Sequence, residues 1–140
     1  SEQAGLGQAN TLQALGDLES RLGQVDTARS LYEQALKLYQ SEQAGLGQAN
    51  TLQALGDLLR EAQQWRDAAQ SYKTALALYR QEQDPMGLAY TCAELARCFH
   101  ALDQYPSRDL ALKDALAWAV KSNTPNVQRY VQWVQNEING

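Results

Sequence analysis

The 140-residue chain has few of the residues on which metal sites and disulfide frameworks depend. It contains two cysteines, one histidine, one methionine, one phenylalanine and three prolines. Two cysteines and one histidine are too few ligands for a closed zinc site. Cys92 and Cys98 are six residues apart, which would place them on different faces of one helix and too far apart to bridge. We therefore expect small buried cysteines, no disulfide, no metal and no cofactor.

Positive charge is also scarce. The 12 lysines and arginines are outnumbered by 16 acidic residues, and the net charge is -4. Binding to a nucleic-acid backbone depends on many lysines and arginines, so this balance argues against a nucleic-acid partner. No run approaches the roughly 18 apolar residues that span a membrane, and the first residues lack a signal-peptide pattern. We expect a cytoplasmic protein that binds neither nucleic acid nor membrane.

Enzyme motifs are missing as well. The patterns GxxxxGK[ST], HExxH and GxSxG do not occur, and no stretch has the alternation of a strand. Gly5 and Gly7 form an isolated glycine pair rather than a phosphate-binding loop. We expect a protein without catalytic activity.

The chain does contain an exact internal repeat. The segment SEQAGLGQANTLQALGDL begins at Ser1 and recurs unchanged at Ser41. A shift of 40 residues aligns three units, 1–40, 41–80 and 81–120, followed by a tail. A fixed period of this size is typical of units that bury their apolar faces by stacking on one another. Identity at exposed positions such as Gln8 exceeds what packing requires, which leaves open recent duplication, a homogenised array, engineering, or excision from a longer array.

Each unit has the apolar spacing of two helices. Apolar residues recur at three- and four-residue steps, as in Leu12, Leu15, Leu18 and Leu22. The helices of a pair are separated near Leu22–Gln24, Gln63–Gln64 and Asp103–Pro106, and Asp84–Pro85 and Thr124–Pro125 mark helix starts. The sequence thus predicts an all-α fold of three helix pairs with a seventh helix over about 125–138.

Small residues recur at fixed places inside the predicted helices. Gly16 and Gly56 lie in mid-helix, where glycine costs about 1 kcal/mol relative to alanine. We expect close helix contact at these glycines, with Tyr32 and Tyr72 filling the space.

These residues carry a family resemblance. Leu15-Gly16, Ala28, Tyr32 and Ala35-Leu36, repeated 40 residues later, resemble the tetratricopeptide repeat (TPR). The 40-residue unit is similar to the arrays of LGN/Pins adaptors, kinesin light chains and bacterial signalling proteins. The resemblance implies a right-handed α-solenoid in one domain, 1–140, made of three TPR pairs and a C-terminal capping helix. The third unit departs from the pattern, because Arg108 replaces the alanine of the other units.

The resemblance also implies a function. Proteins of this family hold a protein or peptide segment in a concave groove lined by the first helix of each pair. In this chain the groove positions are Asn10, Gln13, Asp17, Asn50, Gln53, Asp57, Arg60, Tyr90, Arg97 and His100. Their amides can pair with a peptide backbone. The carboxylates at one end and the Tyr90, Arg97 and His100 side chains at the other suit a segment that carries both a basic residue and a carboxylate.

Two readings of function stay open at this point. The first is a non-catalytic scaffold that binds peptides in the groove. The alternative is a designed, excised or self-associating array whose stack ends form a homo-oligomer and which has no ligand of its own. In either case we expect Trp65, Trp118 and Trp133 to lie in the core or at the end cap, and we read the isolated His100 as an ordinary groove or surface residue.

Overall fold

The computed structural model describes residues 2–140, which form seven α-helices joined by turns of two or three residues. No strand occurs in this part of the chain. The fold is an all-α helical-repeat solenoid, as the sequence predicted. The helices are α1 (Glu2–Arg21), α2 (Val25–Ser41), α3 (Gly45–Glu61), α4 (Trp65–Gln81), α5 (Pro85–Ala101), α6 (Tyr105–Ser122) and α7 (Pro125–Asn139).

The turns between helices share one backbone feature. Each contains a residue with positive φ, and these residues follow one another every 20 positions. Glycine is used only in the first turn, at Gly23, where φ is 75°. A residue in the left-handed conformation just after a helix ends that helix, and it lets the last carbonyls of the helix accept hydrogen bonds. The other five are Gln43, Gln63, Gln83, Asp103 and Asn123, with φ between 51° and 61°.

The start of α5 follows the predicted cap. The side chain of Asp84 accepts a hydrogen bond of 3.1 Å from the Gly87 backbone N–H, and Pro85 occupies the first turn. The hydroxyl of Thr124 instead donates to the Ser122 carbonyl at 3.0 Å and makes no bond to α7. Thr124 therefore marks the start of α7 without capping it.

The helices form two layers. The first helices α1, α3, α5 and α7 each contact the next one along the array, whereas no contact joins α2 to α4 or α4 to α6 within the described residues. Because neighbouring first helices touch and neighbouring second helices do not, the first helices are more closely spaced along the array. The array therefore curves with the first helices on its inner side. This concave face is where the sequence placed the candidate groove.

Close contact at the mid-helix glycines is confirmed. A Cβ built on Gly16 would lie 2.7 Å from Cε1 of Tyr32, and one on Gly56 would lie 2.6 Å from Cε1 of Tyr72. Each tyrosine ring therefore occupies the space that a larger residue would need.

Burial increases toward the C-terminal half of the chain. The largest core cluster is built by α3 to α7, while the first unit contributes two small clusters. Val131 and Val134 of α7 are fully buried, and Trp65 and Trp118 lie partly buried at the edge of the core. Trp133 lies on the C-terminal helix α7, at the end of the stack, which is one of the two expected positions, and 46% of it is exposed. None of the described helices is long and apolar enough to cross a membrane.

Candidate functional site

The N-terminal half of the concave face carries two pairs of side-chain amides held by tyrosines. The hydroxyl of Tyr79 lies 2.7 Å from Oδ1 of Asn50 and 2.7 Å from Oε1 of Gln53. Tyr39 makes the same arrangement one unit earlier with Asn10 and with Gln13, the latter at 3.2 Å. In each case a second helix supplies the hydroxyl and a first helix supplies the amides, so the repeat itself positions the pair.

These amides keep their donors free. Because the carbonyl oxygens face the tyrosine hydroxyls, the –NH₂ groups of Asn10, Gln13, Asn50 and Gln53 have no hydrogen-bond partner among residues 4–140. A side-chain amide offers two N–H donors, and an extended peptide presents one carbonyl acceptor per residue. The four amides can therefore donate to carbonyl oxygens, including those of a peptide backbone.

A cavity of about 560 Å³ opens between α1 and α3 beside these amides. Four of the sequence-predicted residues line it, together with Tyr39 and the apolar side chains of Leu6 and Leu46: Asn10, Gln13, Asp17 and Asn50. Asp17 accepts a 2.6 Å hydrogen bond from Tyr32, which fixes its carboxylate at the wall. The cavity combines amide donors, one carboxylate and apolar surface.

The C-terminal half of the concave face is organised by a buried carboxylate. Glu94 is fully buried in α5, and its Oε2 lies 2.7 Å from Nε of Arg60. Its Oε1 accepts a hydrogen bond from Tyr130 and lies 3.6 Å from Arg97. A buried charge needs such partners, because an unpaired one is costly away from water. Glu94 thereby ties α3, α5 and α7 together.

Sequence reasoning missed Glu94. The equivalent residues in the other units are Ala14 and Ala54, so a glutamate at an alanine position of a first helix was the available signal.

Asp57 lies beside this charge cluster. It accepts hydrogen bonds from Tyr72 and, at 3.1 Å, from Tyr90. Burial raises the pKa of the Asp57 carboxyl to about 6; the bond from Tyr72 opposes that rise, and the negative charge of Glu94 adds to it. The Asp57 carboxyl therefore keeps its proton to a higher pH than an exposed aspartate does.

Aromatic rings wall the same end of the concave face. Tyr90 stacks on Tyr130 with ring centroids 5.0 Å apart, and Tyr130 lies 5.8 Å from Trp133. The guanidinium of Arg97 lies 5.4 Å from the Trp133 ring centroid and donates to the Tyr130 hydroxyl at 3.4 Å. The exposed indole of Trp133 thus serves as a platform for the Arg97 guanidinium.

The structure groups nine of the ten predicted residues and leaves one apart. Five belong to the N-terminal amide region and four to the C-terminal charge cluster. His100 is exposed at the end of α5, where its Nδ1 lies 3.1 Å from Arg108 and its ring lies 6.0 Å from Tyr105. The two aspartates also separate, because Asp17 lies with the amides whereas Asp57 lies beside Arg60.

Stacked helix pairs with glycine-tyrosine contacts and a concave inner face define an α-helical repeat protein. The sequence profile described as tetratricopeptide repeat matches residues 7–81, which is more than half of the chain. The chain therefore belongs to the tetratricopeptide repeat family. Arg108 and Glu94, which depart from the repeat, lie outside the matched residues.

A solved structure has the same fold. The crystal structure of the TPR domain of Arabidopsis FLU superposes with a TM-score of 0.74 and covers 84% of this chain and 96% of that domain. The two sequences are 20% identical, so the likeness concerns the fold alone. No curated protein sequence matches the chain.

Proposed function

We propose that this protein is a non-catalytic scaffold that holds an extended peptide segment of a partner protein along its concave face. TPR proteins in general are protein-interaction scaffolds. The observation that carries the proposal is the repeated set of four amides whose oxygens are held by tyrosines and whose –NH₂ groups are left for a ligand.

The remaining surface of the groove favours the same kind of ligand. The amides would take the peptide backbone, and the cavity beside them offers apolar surface for side chains. At the other end of the groove, one guanidinium nitrogen each of Arg60 and Arg97 lies near Glu94. The Arg97 side chain is 30% exposed, so it is accessible to a ligand. A preformed groove of this kind binds without the cost of ordering its own side chains.

The proposal is tested by changing amides to acids of the same shape. Asn50→Asp with Gln53→Glu retains an oxygen for the Tyr79 hydroxyl but replaces both –NH₂ donors by acceptors. The probe is a displayed library of random twelve-residue peptides, selected on the immobilised wild-type protein. Peptides enriched on the wild type should lose most of their binding to the double variant.

The control places the same two charges elsewhere on the chain. Gln40→Glu with Gln81→Glu changes exposed glutamines of α2 and α4 that do not line the groove. Circular dichroism and thermal melting check that both variants stay folded. Enriched peptides that bind the groove variant as well as the wild type, or a library that yields no enrichment, would overturn the proposal.

A second candidate function, self-association through the first unit, is favoured by one observation. Leu15, Leu18 and Leu22 of α1 are 43%, 47% and 62% exposed. In the identical segment of α3, Leu58 is 3% exposed and packs with Ala28 and Tyr32 of α2. The face that α2 covers on α3 is thus uncovered on α1, and a second copy of the chain could cover it.

Light scattering coupled to size-exclusion chromatography over a hundredfold concentration range tests this candidate. A mass that rises with concentration and becomes constant in Leu18→Glu would support it. Leu110→Glu is the matched control, because Leu110 is also exposed but lies on α6. A monomeric mass at every concentration would exclude it.

A further inference from the structure

A second pocket lies outside the concave face, where the end of α4, the start of α5 and the end of α6 meet. Its volume is about 440 Å³, within the range of roughly 300–1,000 Å³ typical of ligand sites. It shares no lining residue with the cavity or the charge cluster described above. The lining residues are Arg80, Gln83, Pro85, Leu88, Trp118 and Lys121.

The internal repeat provides a comparison within the same molecule. The residues 40 positions earlier, at the corresponding place on the second unit, are Gln40, Gln43, Gly45, Gln48, Leu78 and Gln81. That set is uncharged and contains four glutamines. The third unit replaces it with an apolar floor made by Pro85, Leu88 and Trp118, and with two cations at the rim.

The second difference concerns a carboxylate. In each of the first two units, a glutamate just after the second helix lies against a glycine of the first helix. Glu42 lies against Gly5 in the first unit, and Glu82 lies against Gly45 in the second. The corresponding residues of the third unit are Ser122 and Pro85. The Ser122 hydroxyl donates to the Ala119 carbonyl at 2.7 Å, so it turns back onto its own helix. The third unit therefore lacks the acidic side chain that occupies this place in the other two.

The cations at the rim have no acidic partner in the described residues. Arg80 and Lys121 are exposed and form no ion pair there. The Lys121 ammonium lies 5.2 Å from the Trp118 ring centroid, which holds it over the apolar floor. Positive charge beside apolar surface complements a ligand that is apolar and acidic.

We propose that this pocket binds a short acidic segment of a partner protein. An apolar side chain of that segment inserts between Leu88 and Trp118, and an adjacent carboxylate pairs with Arg80 and Lys121. The carboxylate comes from the ligand because the third unit has Ser122 where the first two units carry Glu42 and Glu82. The site is separate from the groove and shares no lining residue with the cavity there.

The experiment is an NMR titration of the ¹⁵N-labelled protein with three capped decapeptides. The first has a central phenylalanine flanked by glutamates in a Gly-Ser background, the second has glutamines in place of the glutamates, and the third has serine in place of phenylalanine. The Trp118 indole N–H and the Leu88 amide report on the pocket, and the Trp133 indole reports on the groove.

We expect the first peptide to shift the Trp118 and Leu88 signals and to bind about fivefold more tightly than the glutamine peptide, since two partly exposed ion pairs contribute that much. The preference should decrease as salt screens the charges. The serine peptide should shift neither signal. Equal binding of the acidic and glutamine peptides, or no shift at millimolar peptide, would overturn the proposal.

Two variants return the pocket to the residues of the other units. Ser122→Glu should abolish the preference for the acidic peptide, because its own carboxylate would pair with the rim cations. Trp118→Leu should weaken binding of both phenylalanine peptides. Gln40→Glu adds the same charge at a distance and should leave binding unchanged.

Three further outcomes would also contradict the proposal. A preference that survives in Ser122→Glu would contradict the assigned role of the cations. Shifts at Trp133 without shifts at Trp118 would overturn this site while supporting the groove. Inorganic phosphate that moves the Trp118 signal as far as the peptide does would show a general anion site and overturn the acidic-peptide assignment.

Discussion

Gly7 and Gly47 occupy the same place in the same eighteen-residue segment, yet their surroundings differ. A Cβ on Gly47 would lie 2.5 Å from Cδ1 of Tyr39, whereas a Cβ on Gly7 would meet nothing within 4 Å. Gly47→Ala should lower the free energy of unfolding by about 1–2 kcal/mol, because overpacking outweighs the gain in helix propensity. Gly7→Ala should raise it by up to about 1 kcal/mol, because only the propensity gain applies. Urea unfolding measures both, and equal effects would refute the contact.

This pair of glycines marks the limit of prediction from sequence at the scale of residues. The mid-helix position of Gly16 and Gly56 predicted their tyrosine contacts. Gly7 and Gly47 lie in identical local sequence, and the difference between them arises from the Tyr39 ring of α2, which packs on Gly47. The candidate groove shows the same limit, because its amides follow from repeat position whereas Glu94 enters at a place where the other units have alanine.

Asp57 is the second residue with a measurable signature. Its folded pKa of about 6 lies above the ordinary 3.8, so the folded protein binds more protons than the unfolded chain between about pH 4 and pH 6. The contribution of Asp57 to stability therefore falls as pH rises through this window. The unfolding free energy of Asp57→Asn relative to that of the wild type should therefore increase by about 2 kcal/mol as the pH rises from 4.5 to 7.

Urea unfolding at several pH values tests the expected gain. Asp67→Asn, which removes an exposed carboxylate from α4, corrects for the change in overall charge. A gain in Asp57→Asn that does not depend on pH would count against a titrating group at this place.

At the scale of elements, the helix ends are the least optimised part of the structure. Gln43, Gln63 and Gln83 hold φ between 54° and 61°, a conformation that costs a non-glycine residue roughly 1 kcal/mol. Gln63→Gly should raise the free energy of unfolding by up to about 1 kcal/mol, and the three replacements should add because they lie in separate turns. Gln40→Gly, inside α2, should lower it by about 1 kcal/mol. Chemical unfolding distinguishes the two signs, and destabilisation by Gln63→Gly would show that the glutamine side chain itself supports the turn.

The sequence patterns predicted that all seven helices exist, but they did not predict the backbone geometry at the helix ends. Apolar spacing identified the pairs, and Asp84-Pro85 identified the start of α5. The left-handed turns at Gln43, Gln63 and Gln83 escaped prediction, because glutamine is not a typical residue for positive φ, whereas Gly23 and Asn123 carry residue types that are common there. Stacking of the helices on both sides of each turn imposes the conformation, so the cause is tertiary rather than local.

At the scale of the whole molecule, stability should increase along the array. The helix α5 contributes eleven buried residues and is covered by α4, α6 and α7, whereas α1 is covered mainly by α2. In a stack of this kind each unit is stabilised by its neighbours, so an end unit with one neighbour opens first. Native-state hydrogen exchange should find the lowest opening free energy in α1 and the highest in α5. Uniform protection from α1 to α5 would indicate that the array opens only as a whole.

Leu18 and Leu58, which occupy equivalent positions of the repeated segment, allow the increase in stability along the array to be tested with the same substitution at both places. Leu58 is 3% exposed, so Leu58→Ala should cost about 2–4 kcal/mol of unfolding free energy, whereas Leu18 is 47% exposed and Leu18→Ala should cost less than about 1 kcal/mol. Chemical unfolding of dilute protein measures both. If Leu18→Ala costs as much as Leu58→Ala, then the α1 face is covered in solution. A cost that disappears on dilution would identify a second copy of the chain as the cover, because only an intermolecular contact depends on concentration.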